Sequence, residues 1–135
     1  MDRQKRSALT AAMTISASDA YFKALCELDR DAYLSCFTTK AELRDPYGGE
    51  PFMGPDGLAK WFKGMERTWQ EFSIKPVLQF KSGSRIAVQW EAQGRAKSGK
   101  NAQFYGINVF TLDDEGLISH LEGYWDFQLM VAQIS

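Results

Sequence analysis

Apolar positions recur along this chain with two different periods. Tyr21, Ala24, Leu25 and Leu28 fall at i, i+3, i+4 and i+7, the spacing of one helix face. Ser16 or Ser18 can cap the start, so a first helix is predicted to end near Leu28. Asp29 or Asp31 can open a short second helix carrying Ala32, Tyr33, Cys36 and Phe37. Residues 41–46 then read as an extended piece, with Ala41, Leu43 and Asp45 on one face and Glu42 and Arg44 on the other. The Gly and Pro content of Pro46-Tyr47-Gly48-Gly49-Glu50-Pro51 predicts a loop. Gly54-Pro55 starts a third helix, whose apolar stripe is Leu58, Trp61, Phe62, Met65 and Trp69.

Beyond that helix the period shortens to two. Glu71–Lys81, Arg85–Lys97, Ala102–Leu112 and Leu117–Val131 read as strands, separated by Ser82-Gly83, Ser98-Gly99 and Asp113-Asp114-Glu115-Gly116 as turns. Pro76 is expected to bend the first of them or mark a bulge. Helices followed by a strand meander predict an α+β layer fold. The sheet should be strongly curved and mostly antiparallel, with three N-terminal helices packed on it and a concave cavity between the layers. One domain over residues 14–135 is expected, preceded by a flexible arm over 1–13.

Alternation orients these strands. Phe104, Gly106, Asn108 and Phe110 share a face, as do Leu121, Gly123, Trp125 and Phe127. Both groups are expected to face the cavity. The two glycines would leave room for a ligand there, or would simply bend the strands. His120 falls on the opposite face. So do Tyr105, Ile107, Val109 and Tyr124, an apolar outer surface that needs a cover; a two-fold homodimer, sheet against sheet, is the expected cover.

Composition narrows the function classes. The 135 residues are 44% hydrophobic and 13% aromatic, enough for a core and for cavity walls, and the net charge is −1 with both signs interspersed. A nucleic-acid binder would need a basic stripe, and the one dense basic run, Arg3-Gln4-Lys5-Arg6, sits in the arm. No apolar run is long enough to span a membrane. The stretch Ala8–Met13 is too weak for a secretory signal, so a cytoplasmic location is expected. Cys26 and Cys36 are expected to be small core residues rather than a disulfide. With one histidine and no close cysteine pair, there is no metal pattern, and there is no nucleotide-cofactor motif.

Asp45 is the residue that carries chemistry. Its face-mates Ala41 and Leu43 are apolar, and Pro46 biases it toward extended backbone. A carboxylate on an apolar wall has its pKa raised by desolvation, which suits a proton acceptor near neutral pH. Asp before Pro, with Gly nearby, is also an ordinary turn whose carboxylate accepts backbone N–H bonds.

The run Leu43-Arg44-Asp45-Pro46-Tyr47-Gly48-Gly49-Glu50-Pro51-Phe52-Met53-Gly54, followed by a helix with Trp61 and Phe62, resembles the ketosteroid isomerases. That resemblance extends over about residues 17–127. It implies the nuclear-transport-factor-2-like cone that also hosts SnoaL-like cyclases, epoxide hydrolases and non-catalytic binding modules. It further implies Asp45 as general base, moving a proton between two carbons of a β,γ-unsaturated ketone. Tyr21 would be one oxyanion donor. Asn108 stands where the family keeps a protonated aspartic acid; an amide still donates, but a weakened oxyanion donor costs up to roughly 10²–10³ in rate. Phe37 and Phe62 stand where the family's supporting tyrosines would be.

The residues expected to contact a ligand are therefore Phe37, Phe52, Trp61 and Phe62 from the N-terminal half. Trp90, Phe104, Phe110 and Trp125 come from the sheet, and Phe52 is placed near the mouth. Two functions fit this set. One is cofactor-independent proton transfer, isomerisation or cyclisation, on a small apolar cyclic carbonyl compound. The other is a non-catalytic module that holds such a ligand unchanged.

Overall fold

A computed structural model describes residues 17–135. The arm over 1–13 and the possible cap Ser16 lie outside the described residues. Helix α1 runs over 17–27 and buries Tyr21, Phe22, Ala24 and Leu25, as its apolar spacing requires. Leu28 adopts φ 50° and reverses the chain. Asp29 then caps α2 (Arg30–Leu34), its side chain accepting from the Ala32 N–H at 3.1 Å.

Phe37 does not continue that helix; it opens β1 (Phe37–Arg44). Ser35 closes the last turn, and the Phe-Thr-Thr run that follows favours extended backbone. The 46–51 loop folds back so that β2 (Phe52–Met53) pairs antiparallel with Leu43 and Glu42 of β1. Helix α3 (Gly54–Thr68) has Pro55 in its first turn and buries Leu58 and Phe62. Trp69, spaced as part of its stripe, instead begins β3 (Trp69–Ser82) in extended backbone.

The remaining strands are β4 (Arg85–Ala96), β5 (Asn101–Leu112) and β6 (Ile118–Trp125). They form one curled six-stranded sheet in the order β2-β1-β6-β5-β4-β3. Every neighbouring pair is antiparallel except β1 with β6. The β3–β4 register shifts between Pro76 and Leu78, the bulge expected at a residue that cannot donate to the ladder.

The last strand is shorter than its apolar content suggests. It stops at Trp125, and Asp126 caps helix α4 (Phe127–Ile134) by accepting from the Leu129 N–H at 2.9 Å. Phe127, Met130, Val131 and Ile134 had helical spacing all along. The Gln133 side chain fixes α4 to the sheet, accepting from the Gln103 N–H at 2.8 Å and donating to its carbonyl at 3.0 Å. Neither cysteine is disulfide-bonded. Cys36 is buried as expected, whereas Cys26 is an exposed residue whose thiol meets the Ile74 N–H and carbonyl, each at 3.3 Å.

Alternation is strict on β4 and β5. Ile86, Val88, Trp90 and Ala92 of β4 and Ala102, Phe104, Asn108 and Phe110 of β5 face inward and are buried. Their outward neighbours include Tyr105 and Ile107, which are exposed. No helix among the described residues is long and apolar enough to cross a membrane.

Candidate functional site

The inward face of β1 leads to the site. Ala41 and Leu43 are fully buried, and Asp45, one step past the strand, continues their alternation at 7% exposure. Its peptide bond to Pro46 is cis. Two indoles hold it. Trp61 of α3 donates to the Asp45 backbone carbonyl at 2.9 Å, and Trp125 of β6 donates to Oδ1 at 2.5 Å. Arg44 points elsewhere, paired with Glu42 at 2.8 Å, and among the described residues no cation pairs with the carboxylate. Burial pushes the Asp45 carboxyl up to about 6, against a smaller downward pull from the Trp125 N–H.

Asn108 of β5 is almost fully buried. Its Oδ1 accepts from the Trp90 indole at 3.0 Å, and its side chain pulls the Tyr21 phenol's pKa down, the effect of a donor near the phenol oxygen. With the oxygen occupied, the amide N–H is the group that faces the phenol. Burial, and then the nearby negative charge of Asp45, push the Tyr21 phenol well above its usual range, so it stays protonated at neutral pH.

The glycines correct one expectation. Neither leaves its space to a ligand. A Cβ at Gly123 would lie 2.2 Å from Asp45 Oδ1 and 3.1 Å from Asn108 Oδ1. At Gly106 it would lie 2.4 Å from the Trp90 ring. The first gap therefore seats the carboxylate and brings it beside the amide; the second lets Trp90 cross β5 and reach Asn108.

Tyr21, Asp45 and Asn108 thus come together from three elements and share one cavity of about 920 Å³, within the size range of small-molecule sites, about 300–1,000 Å³. Phe52, Trp61, Trp90, Phe104 and Trp125 are on its wall. Phe37, Phe62 and Phe110 are not. All three are buried. Phe37 and Phe110 pack on Tyr21 at ring-centroid distances of 6.2 and 5.2 Å, and Phe62 packs on Tyr33 at 4.9 Å. His120 is on the outer face, 3.7 Å from Glu42. Among the described residues no group of three or more His, Cys, Asp and Glu side chains is placed to hold a metal.

Sequence reasoning missed three participants. Trp125 was assigned to the wall, yet its indole is the donor to Asp45; a buried indole N–H needs an acceptor, and Asp45 is beside it. Trp61 clamps the Asp45 backbone. Tyr33 packs its ring 5.6 Å from Tyr21 and stacks on Trp61 at 5.4 Å, and its buried hydroxyl has no hydrogen-bond partner. Burial pushes its phenol well above the usual range. Nothing in its local spacing distinguished it from a core aromatic.

The comparisons agree with this architecture. Residues 19–121 match the SnoaL-like domain family. A search among curated proteins finds no match. Among solved structures, SalBIII, an epoxide hydrolase/cyclase-like enzyme with a role in pyran ring formation in the polyether salinomycin, is 25% identical, covers 95% of each chain and has a TM-score of 0.71. The Δ5-3-ketosteroid isomerase of a Mycobacterium species is 22% identical with a TM-score of 0.76, covering 87% of this chain and 96% of that one. A Mycobacterium tuberculosis protein in complex with estradiol-17β-hemisuccinate is 17% identical with a TM-score of 0.76, covering 87% and 96%.

The raised Asp45 pKa has a consequence for stability. The folded chain keeps this proton up to about pH 6, whereas an unfolded chain releases it near 3.8. Stability is therefore unaffected by this group below that window and falls as pH rises through it. At about 1.4 kcal/mol per pH unit, the loss amounts to about 3 kcal/mol above the window. Asp45→Asn should match the wild type in denaturant midpoint near pH 4 and exceed it at pH 8, by up to about 3 kcal/mol. Parallel pH profiles for the two proteins would show that the carboxylate is not desolvated.

Proposed function

The chain belongs to the SnoaL-like domain family, and from that premise we propose that it binds a small, largely apolar, cyclic carbonyl compound and moves a proton on it, as an isomerase or cyclase without a cofactor. One observation carries this reading: a desolvated carboxylate, a neutral phenol and an amide meet in a single apolar cavity. A solved relative of this fold that is a ketosteroid isomerase, another that is cyclase-like, and a third that holds a steroid ester support a ring-shaped ligand.

The Asp45 carboxylate takes a proton from the carbon next to the carbonyl. The released electron pair moves into the carbonyl, leaving an enolate oxygen. The Tyr21 O–H donates to that oxygen, and the amide polarises the phenol by donating to it. Asn108 has a second N–H for the same oxygen. Asp45 then returns the proton to a different carbon, completing an isomerisation; alternatively the enolate carbon adds to a second carbonyl carbon of the same molecule, that carbonyl's π electrons move to its oxygen, and Asp45 returns the proton to the resulting alkoxide. Trp125 limits the basicity of the carboxylate and aims it.

A non-catalytic binding module is the second reading. One observation favours it: an amide, Asn108, held by the Trp90 indole, stands where the ketosteroid isomerases keep a protonated aspartic acid, a polar anchor that is a weaker match to an enolate.

We also infer a homodimer through the outer sheet face. Register places Leu78, Gln89, Ile107 and Tyr124 in one row across β3–β6, and Phe80, Ala87, Val109 and Glu122 in the next. Leu78, Phe80, Ile107 and Tyr124 are 42–68% exposed, an apolar surface that a second copy would cover.

Two experiments test these readings. A β,γ-unsaturated cyclic ketone should shift its double bond into conjugation, with a rate that rises with pH through about 6 as Asp45 ionises. Asp45→Asn should slow this by about 10²–10⁴-fold. Equal rates would remove Asp45 as the base, and a ligand bound tightly yet recovered with its double bond unmoved would establish the binding module. For the dimer, sedimentation of the wild type should give twice the chain mass and that of Ile107→Asp the mass of one chain; a monomeric wild type would refute it.

A further inference from the structure

The cavity has a chemical asymmetry that proton transfer does not use. Its deep end holds Asp45 and Asn108, both buried. The part of its wall made by α3 contains Lys60, Lys63 and Arg67, all three exposed. Being at once on the wall and open to solvent, they stand where the wall meets the mouth. Their spacing of i, i+3 and i+7 puts them on one strip of the helix, beside Gly64, where a side chain would meet no other atom within 4 Å. All three cations are exposed to solvent among the described residues.

None of the three enters an ion pair or side-chain hydrogen bond among the described residues. Glu66, the acid on the same stretch of helix, is instead tied to Arg30 of α2. Across the cavity lining, the only other acid besides Asp45 is Glu50, in the loop after β1. The rim thus carries three cations against one carboxylate, in a chain whose overall charge is −1. A purely apolar ligand gains nothing from such a rim.

We propose that the ligand has two ends: a neutral ring system that enters toward Asp45, and an anionic group, a carboxylate or phosphate, that stays at the mouth on Lys60, Lys63 and Arg67. This rests on the ligand-binding reading above and specifies its substrate class. Asp45 enforces the orientation. A second negative charge beside a desolvated carboxylate is strongly unfavourable, so the anionic end is kept outward and the ring is delivered to the base.

The test uses ring-matched probes and Trp fluorescence with the full chain. They are estradiol, its 17β-hemisuccinate, the methyl ester of that hemisuccinate, and estradiol 17β-phosphate. One or both anionic probes should bind about tenfold tighter than the methyl ester, as two or three partly exposed ion pairs allow. The advantage should shrink at high salt. In Lys60→Gln/Lys63→Gln/Arg67→Gln the anionic probes should fall to the level of the ester, with estradiol and the ester unchanged; these positions are on the surface, so folding is preserved. Preference for the hemisuccinate or the phosphate would identify the anionic group. Equal affinity of ester and anionic probes for the wild type would overturn the proposal while leaving the apolar pocket intact. Failure of all four to bind would overturn the pocket reading and this proposal with it.

Discussion

A carboxylate taken out of water must gain a cation, gain several hydrogen bonds, or hold its proton more tightly. Among the described residues Asp45 has no ion-pair partner, Arg44 turning to Glu42, and its side chain has one donor, the Trp125 indole. The third outcome follows, and the carboxyl titrates at about 6. Much of the surrounding structure serves this one imbalance. Leu43 and Ala41 keep the wall of β1 dry, Trp61 pins the backbone, and Gly123 vacates the volume that the carboxylate occupies.

The donors opposite are held by a second layer. Tyr21 has edge contacts with Phe22, Phe37 and Phe110, and Tyr33 sits between Phe37, Phe62 and Trp61. A rigid aromatic shell lets a phenol and an amide face the cavity at fixed positions without relying on further tyrosine hydroxyls. Phe37 and Phe62 therefore have a role even though they cannot hydrogen-bond: Phe37 packs on both phenols and Phe62 on Tyr33, filling volume in the layer whose burial raises the two pKa values.

Asp45, Tyr21 and Asn108 were legible because each sits at an inward position of a strongly periodic element, and alternation alone points them the same way. The run from Leu43 to Gly54 added the order of elements around them. The errors share one cause. Phe37, Trp69 and Phe127 each lie where one apolar pattern runs into the next, and an aromatic is equally at home on a helix stripe or a strand face; Ser35 closing α2 and the cap at Asp126 decided two of the boundaries. Depth was harder still. Periodicity places Phe62 and Phe110 on the inner side but cannot say that other rings stand between them and the cavity. Nor could it show that the spaces at Gly106 and Gly123 are filled by Trp90 and Asp45. Those are long-range packing facts with no local signal.

The ionisation of Asp45 itself tests this account most directly. Carbon-13 shifts of the aspartate carboxyls, with Asp45 assigned by its loss in Asp45→Asn, should show a midpoint of about 6. In Trp125→Phe, which removes the donor and leaves the burial, the midpoint should move further up. A midpoint near the ordinary 3.8, or one that ignores the loss of the indole N–H, would contradict it.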